Sequence, residues 1–470
     1  MTTPPPDDRR KRPLRVALAL LVLPVLACYQ GIAAPACDTL ADCPSGKGYT
    51  TCEDGHCFVS GRCDGSMPVA GDGCCAVIEG DRTPDTDCLV ADHDLGCREP
   101  AGPVADSKGD LFVTCRSVDS LGVSNVVLSR IDPAGAILPP VILGLASAIL
   151  PPMVSRGTDV YAAFAGGVVR FDAATGIRSP TLGSVAPVGG LVSTGSSDAF
   201  HSVVGWPTVA GTVVLYDEDV GTTQVFTAGP ISAGTTGAFP PTVSASGHRI
   251  YLLWEDGKLW SVETAISPTG ARSSFILPAR PVASPVEVDG RIFIAMEGGV
   301  LVALAERQPT FEKVWEMSLG GEVAGGLLVD PTGAVTAVLA SGDVVVVRDL
   351  VDRGSLVGRG SFGAAMGDLY PFLGAAPRVV AMTADGRGVA SLLRTTDDGG
   401  GVTFTSGLSF GVPVAIVGTP LLFGKRMWMA TESGRLVAWQ FPDVLPYGRF
   451  ARGGSDVGGT GRTTVAVPQQ

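Results

Sequence analysis

The sequence predicts an all-β chain, a β-propeller of eight blades preceded by a small disulfide-rich module. Three observations carry this reading. A phrase of apolar strand, polar turn, apolar strand and glycine turn recurs along most of the chain. Glycine and proline are abundant, at 63 and 35 of 470 residues, while only 17% of residues are charged. That composition suits short strands with tight turns better than long charged helices. Every cysteine lies before residue 116, which divides the chain into a cysteine-rich start and a cysteine-free remainder.

The repeat can be aligned by eye. Its copies are PPMVSRGTDVYAAFAGGVVRFDAATG from 151, PPTVSASGHRIYLLWEDGKLWSVETA from 240, SPVEVDGRIFIAMEGGVLVALAER from 284, GGLLVDPTGAVTAVLASGDVVVVRD from 325, APRVVAMTADGRGVASLLRTTDDG from 376 and GTPLLFGKRMWMATESGRLVAWQFPD from 418. Weaker copies stand near 102 and 190. The glycine of the second turn is a ruler. Gly257, Gly299, Gly342, Gly386 and Gly434 are spaced by 42, 43, 44 and 48 residues, and Gly167 precedes Gly257 by 90, two periods. A period of 40 to 50 residues with several short strands per copy is the signature of a propeller. Seven blades stay open beside eight, because the copies near 102 and 190 are weak. Glycine at the turn supplies a positive φ, and alternation in RIFIAMEGGVLVAL lets each blade pack on its neighbour.

The chain starts with Arg9, Arg10, Lys11, Arg12 and Arg15, followed by twelve apolar residues and Cys28. Twelve residues make about 18 Å of helix, short of the ~20 residues needed to span a bilayer. This pattern reads as a secretory signal. Val25-Leu26-Ala27-Cys28 resembles the lipobox of exported bacterial lipoproteins. That resemblance implies lipidation of Cys28, cleavage before it and a stable multi-chain lipid anchor. Tyr29, rather than Asp, follows the cysteine, which favours an outer-membrane address.

The eleven cysteines are Cys28, Cys37, Cys43, Cys52, Cys57, Cys63, Cys74, Cys75, Cys88, Cys97 and Cys115. With Cys28 lipidated, ten remain as disulfide candidates, an even number that fits five bridges in an oxidising compartment. No C-x-x-C pair occurs, so no zinc site is expected. The segment holds few large apolar residues, and disulfides commonly stabilise such small modules. It looks like the EGF-like stalk modules of exported bacterial proteins. Connectivity is not fixed by the spacing; a Cys97–Cys115 bridge would staple the stalk to the next region. Asp81, Asp85, Asp87, Asp92 and Asp94 read as a solvated acidic loop, without the spacing of a calcium loop.

SPVEVDGRIFIAMEGGVLVAL, GTPLLFGKRMWMATESGRLVAW and VYAAFAGGVVRFDAATG resemble the PQQ-like β-propeller repeat family, over about residues 100 to 440. LPYGRFARGGSDVGGTGR resembles an element that often flanks such propellers, with Leu445 where Trp is usual. In the quinoprotein dehydrogenases of that group, blades lock through a Trp shortly after a T-G pair. Here DAATGIRSPT has none, and only Trp315 in KVWEM stands near such a place. Apolar packing is expected to replace that lock.

Catalytic patterns are scarce. The four histidines are His56, His93, His201 and His248, and the chain has no G-x-S-x-G, H-E-x-x-H or P-loop. His248 is expected to be exposed in its turn, and His201 to play a structural part. Asp217-Glu218-Asp219 and Asp397-Asp398 read as solvated turns. Trp254, Trp260, Trp428 and Trp439 read as core or blade packing, with Trp254 also a candidate for the channel rim. The vicinal pair Cys74-Cys75 invites comparison with the quinoprotein enzymes, but it stands before the first blade. A net charge of −12 offers no footprint for nucleic acid.

The expected organisation is a signal peptide over 1–27, a tether over 28–36, an EGF-like stalk over 37–98, a propeller over 99–442 and a Gly-rich tail over 443–470. The expected function is that of a monomeric, non-enzymatic, lipid-anchored scaffold in the envelope of a Gram-negative bacterium, at the outer membrane. It would bind an envelope protein in outer-membrane assembly or surface recognition, with no cofactor and no metal. A PQQ-dependent quinoprotein dehydrogenase is the alternative.

Overall fold

The computed structural model describes residues 51–53, 56–58, 89–440 and 449–450, except for 146–147, 184, 195–202, 228–236, 245–246, 265–271, 289, 330–332, 374–376, 398, 412–413 and 424–425. The described elements are all strands. They form eight four-stranded antiparallel units, so the count is eight blades. Blades 1 to 7 span 104–145, 149–178, 192–227, 242–276, 286–318, 328–361 and 366–411. In each, chain order is also spatial order, from an inner strand outward. The outer strands of blades 4 and 5 touch at Ser274 and Thr310, and those of blades 6 and 7 at Gly358 and Val402.

Blade 8 is assembled from two distant pieces. Ile416–Phe423, Arg426–Thr431 and Arg435–Gln440 supply three strands, and Leu89–Asp94 supplies the outer one. Asp94 lies opposite Arg435 and Leu89 opposite Trp439. The ring is thus closed by a strand from within the stretch read as stalk. Its Asp92 and Asp94, expected in a solvated loop, stand on this strand and pair with Arg435.

Blade 5 shows why the sequence alternates. Arg291–Met296 and Val300–Arg307 pair antiparallel around Glu297-Gly298-Gly299, with φ of 80° and 66° at the two glycines. Ile292, Ile294, Val302 and Leu304 point into a core shared with Tyr251, Leu253 and Leu259 of blade 4. Phe293, Ala295, Leu301 and Ala303 point the other way, against Val335, Ala337, Val345 and Val347 of blade 6. A period of two therefore puts successive residues into different inter-blade cores. Neither face is solvated, which is why these strands are apolar throughout.

One backbone bond recurs in blades 4 to 8. The chain leaving each outer strand donates an N–H to the carbonyl of the ruler glycine: Leu277 to Gly257, Leu319 to Gly299, Phe362 to Gly342, Ile416 to Gly386 and Leu95 to Gly434, at 2.8 to 3.0 Å. The bond steers the chain towards the next blade. It holds equally where the outer strand is the distant Leu89–Asp94. At Gly299, Gly342 and Gly434, φ is positive and a Cβ would overlap the carbonyl oxygen of Gly321, Ala364 or Cys97. Both conditions require glycine.

Candidate interaction surface

Cys97 and Cys115 form a disulfide with Cα atoms 5.9 Å apart. Cys97 follows the closing strand, and Cys115 sits in Leu111–Val118, the second strand of blade 1. The bridge joins the closing segment to the first blade within a core that includes Trp428, Leu436 and Leu111. Cys52 and Cys57 stand opposite each other in the hairpin of Thr51–Glu53 and His56–Phe58. Cys28, Cys37, Cys43, Cys63, Cys74, Cys75 and Cys88 lie outside the described residues, as do His201 and Asp398.

The other singled-out residues mostly serve the ring. His93 stacks on Trp428 with ring centroids 6.2 Å apart. His248, expected to be exposed, is half-buried, and its carbonyl accepts the N–H of Thr264 at 2.9 Å. Trp254 is fully buried between blades 3 and 4, with Trp260 in the same core, so it packs the ring rather than rimming the channel. Among the described residues, no group of three His, Cys, Asp or Glu side chains is arranged to hold a metal ion.

In the acidic turn 217–219, Asp219 is exposed as expected, while Asp217 and Glu218 depart from the solvated state. Asp217 is buried and accepts the N–H groups of Asp219 and Val220. Glu218 pairs with Arg156 of blade 2. Glu218 stands seven residues after Gly211, the glycine of the corresponding turn in blade 3, and the same offset from Gly299 and Gly342 gives Glu306 and Asp349. Glu306 pairs with Arg249 of blade 4, and Asp349 with Arg291 of blade 5 at 3.3 Å. Each pair clamps the third strand of one blade to the preceding blade. Burial and the facing Glu218 push the Tyr161 hydroxyl well above the usual phenol range. Burial, then Glu306 and Glu287, do the same to Tyr251. Both tyrosines stay neutral and uncharged beside the clamps.

Trp315 completes the blade 5–6 clamp. It packs on Phe293 at 5.7 Å, and its Nε1–H donates to Asp349 at 2.8 Å. A Cβ at Gly354 of blade 6 would press on its ring. The residue that the family resemblance singled out does dock on the next blade. Elsewhere, arginine–carboxylate pairs supplement the expected apolar packing. Sequence reading missed them because the partners stand 57 and 62 residues apart, although the acidic position relative to the ruler glycine was a usable signal.

The outward-facing feature is an apolar corner on blade 1. Leu121 is 86% exposed and Leu145 73%, with Val118, Val123 and Ile142 also exposed. Leu121 and Val123 sit on an ordered turn, whose N–H groups donate to the Asp119 carboxylate at 2.9 Å. Leu145 ends the outer strand Ile137–Leu145, opposite Asn125 near that turn. Pro139 and Pro140 within this strand remove two backbone donors, which hinders sheet extension along this edge. The corner therefore offers side chains rather than backbone.

No family pattern matches the chain, and no curated protein matches it in sequence. Solved structures do match in fold. Sqt1 from Chaetomium thermophilum superposes with a TM-score of 0.56 at 12% identity, covering 78% of this chain and 100% of Sqt1. Sqt1 bound to the N-terminus of the ribosomal protein L10 gives 0.56 at 11% identity, covering 75% and 99%. BamB from Moraxella catarrhalis gives 0.40 at 17% identity, covering 75% and 97%. The fold of this chain is that of a β-propeller.

Proposed function

We propose that this protein is a lipid-anchored, non-enzymatic protein-binding propeller of the bacterial envelope, engaged in outer-membrane assembly or surface recognition. The observation that carries the binding part is the apolar corner of blade 1. Large apolar side chains held exposed on an ordered turn cost solvation unless a partner covers them. The buried pairs Arg156–Glu218, Arg249–Glu306 and Arg291–Asp349 hold blades together, which supports a structural part for these charges. The anchor rests on the signal that ends at Cys28 and on its lipobox resemblance. The envelope role rests on that signal and on the PQQ-like repeat phrases.

Two variants test the parts separately. Cys28→Ala should release the protein from the membrane fraction and abolish labelling by an alkyne fatty acid. L121D/L145D should leave anchoring intact and remove a protein that cross-links in intact cells. Unchanged membrane attachment in C28A would sink the anchor. Identical cross-linked partners in the wild type and L121D/L145D, or none in either, would sink the binding surface.

A further inference from the structure

The innermost strand of blade 6, Leu328–Val329, is paired on both edges. Its outer edge meets Val335–Val338 of the same blade. Its inner edge, which faces the propeller axis, meets Arg449–Phe450, with Leu328 opposite Phe450 and Val329 opposite Arg449. The chain's own C-terminal segment thus adds a further strand inside the ring.

Strand polarity supports this path. Blade 8's third strand starts after the ruler glycine Gly434 and ends at Gln440, at the opposite end of the ring. Nine residue steps separate Gln440 from Arg449, a reach of up to about 30 Å at ~3.3 Å per residue. The segment runs antiparallel to Leu328–Val329, so it enters from the Gln440 end and heads towards the ruler-glycine end. The direction of the pairing agrees with this path.

We propose that the inner edge of Leu328–Val329 is a strand-acceptor site, and that Arg449–Phe450 occupies it as an intramolecular competitor. The site takes an extended peptide by backbone pairing. A peptide that pairs at this edge must displace Arg449–Phe450, which competes at the ~mM effective concentration of a tethered segment. This inference stands apart from the blade 1 corner.

The test uses the full chain carrying R449P/F450P, since proline cannot donate to a ladder. Hydrogen exchange should quicken in the variant at whichever of Leu328 and Val329 directs its N–H to the inner edge, since successive N–H groups of a strand point to opposite edges. A fluorescent peptide of residues 445–456 should bind it at least tenfold more tightly than it binds the wild type. N-methylation at Phe450 of the peptide should abolish that binding. Unchanged exchange, or equal peptide binding by both proteins, overturns the proposal. Should the variant fail to fold, the wild-type chain with a photo-reactive phenylalanine at 450 decides. Cross-links to 325–330 support the proposal, and their absence from that stretch overturns it.

Discussion

Two junctions of the ring do the same job with different material. Between blades 5 and 6 the chain is continuous, and Arg291, Asp349 and Trp315 clamp the blades. Between blades 8 and 1 the chain is also continuous, running from the closing strand through Cys97 into the first strand of blade 1, and the clamp is the Cys97–Cys115 disulfide. The backbone lock is common to both: Leu319 on Gly299 and Leu95 on Gly434. The backbone geometry is thus a property of the repeat, and the side-chain clamp is chosen locally. The break in the chain itself lies inside blade 8, between Gln440 and Leu89, where strand pairing and Arg435 hold the two pieces, and the disulfide secures the next step, from the closing strand into blade 1.

The strongest way to break the comparison is at the shared lock. Gly434→Ala forces a Cβ onto the Cys97 carbonyl at a φ of 79°. We expect a loss on the order of 3 kcal/mol, measured by denaturant unfolding, with fast hydrogen exchange in Leu89–Asp94. Gly290→Ala is the control. Its φ is 80°, but nothing lies within 4 Å of its Cβ, so strain alone should cost about 1 kcal/mol. Equal losses in the two variants would mean that the close approach to Cys97 is unimportant.

Next comes the covalent clamp. Replacing Cys97 and Cys115 by alanine removes a bridge between residues 18 apart. Such a loop corresponds to about 3 kcal/mol, less whatever strain the native bridge carries. The loss should appear first as exchange in the closing strand, while blades 4 to 6 keep their protection. Uniform loosening of all blades would show that closure and the 5–6 junction are not separable.

Much of this was legible in the sequence. The ruler glycines could be seen because a positive φ and a close approach leave few other residues, and they marked the blades correctly. The bridge between Cys97 and Cys115 was visible as a staple. The closing strand was not, because LVADHD carries no strong alternation and its salt-bridge partner Arg435 is 343 residues from Asp92. Cysteines on both sides made that stretch read as stalk. The acidic turn 217–219 misled for a related reason. A short run of acids looks solvated until an arginine from another blade is placed against it. The apolar corner of blade 1 was hidden because an exposed leucine and a core leucine are the same letter.

The ionic clamps give a smaller effect and a second contrast. Arg291 and Asp349 have side chains only 20% and 18% exposed, whereas Arg435 and Asp92 are 39% and 42% exposed. Arg291→Met leaves a half-buried carboxylate with the Trp315 and Val351 N–H groups, and should cost about 1–2 kcal/mol. Arg435→Gln should leave the melting temperature unchanged, since water solvates the carboxylates it leaves. A large loss in R435Q would mean that the closure depends on charge as well as on its disulfide.

The smallest effect separates the tight turns that precede the second strands of blades 1 and 5. In both, a carboxylate holds backbone N–H groups: Asp106 takes those of Lys108 and Asp110 at 2.9 Å, and Glu287 takes that of Gly290 at 2.6 Å. Burial raises the Asp106 carboxyl above its ordinary range, against the lowering effect of those N–H groups. A raised acid binds its proton more tightly in the folded than in the unfolded state. Its ionised form therefore weakens the fold above the folded pKa, and that penalty fades as pH falls through it. Asp106→Asn keeps an oxygen acceptor and removes the charge. The variant should melt slightly higher than the wild type at neutral pH, and the gap should close as the solution is acidified into the carboxylate range. A gap that is constant with pH would assign the effect to the turn's hydrogen bonds and not to the buried charge beside the closure.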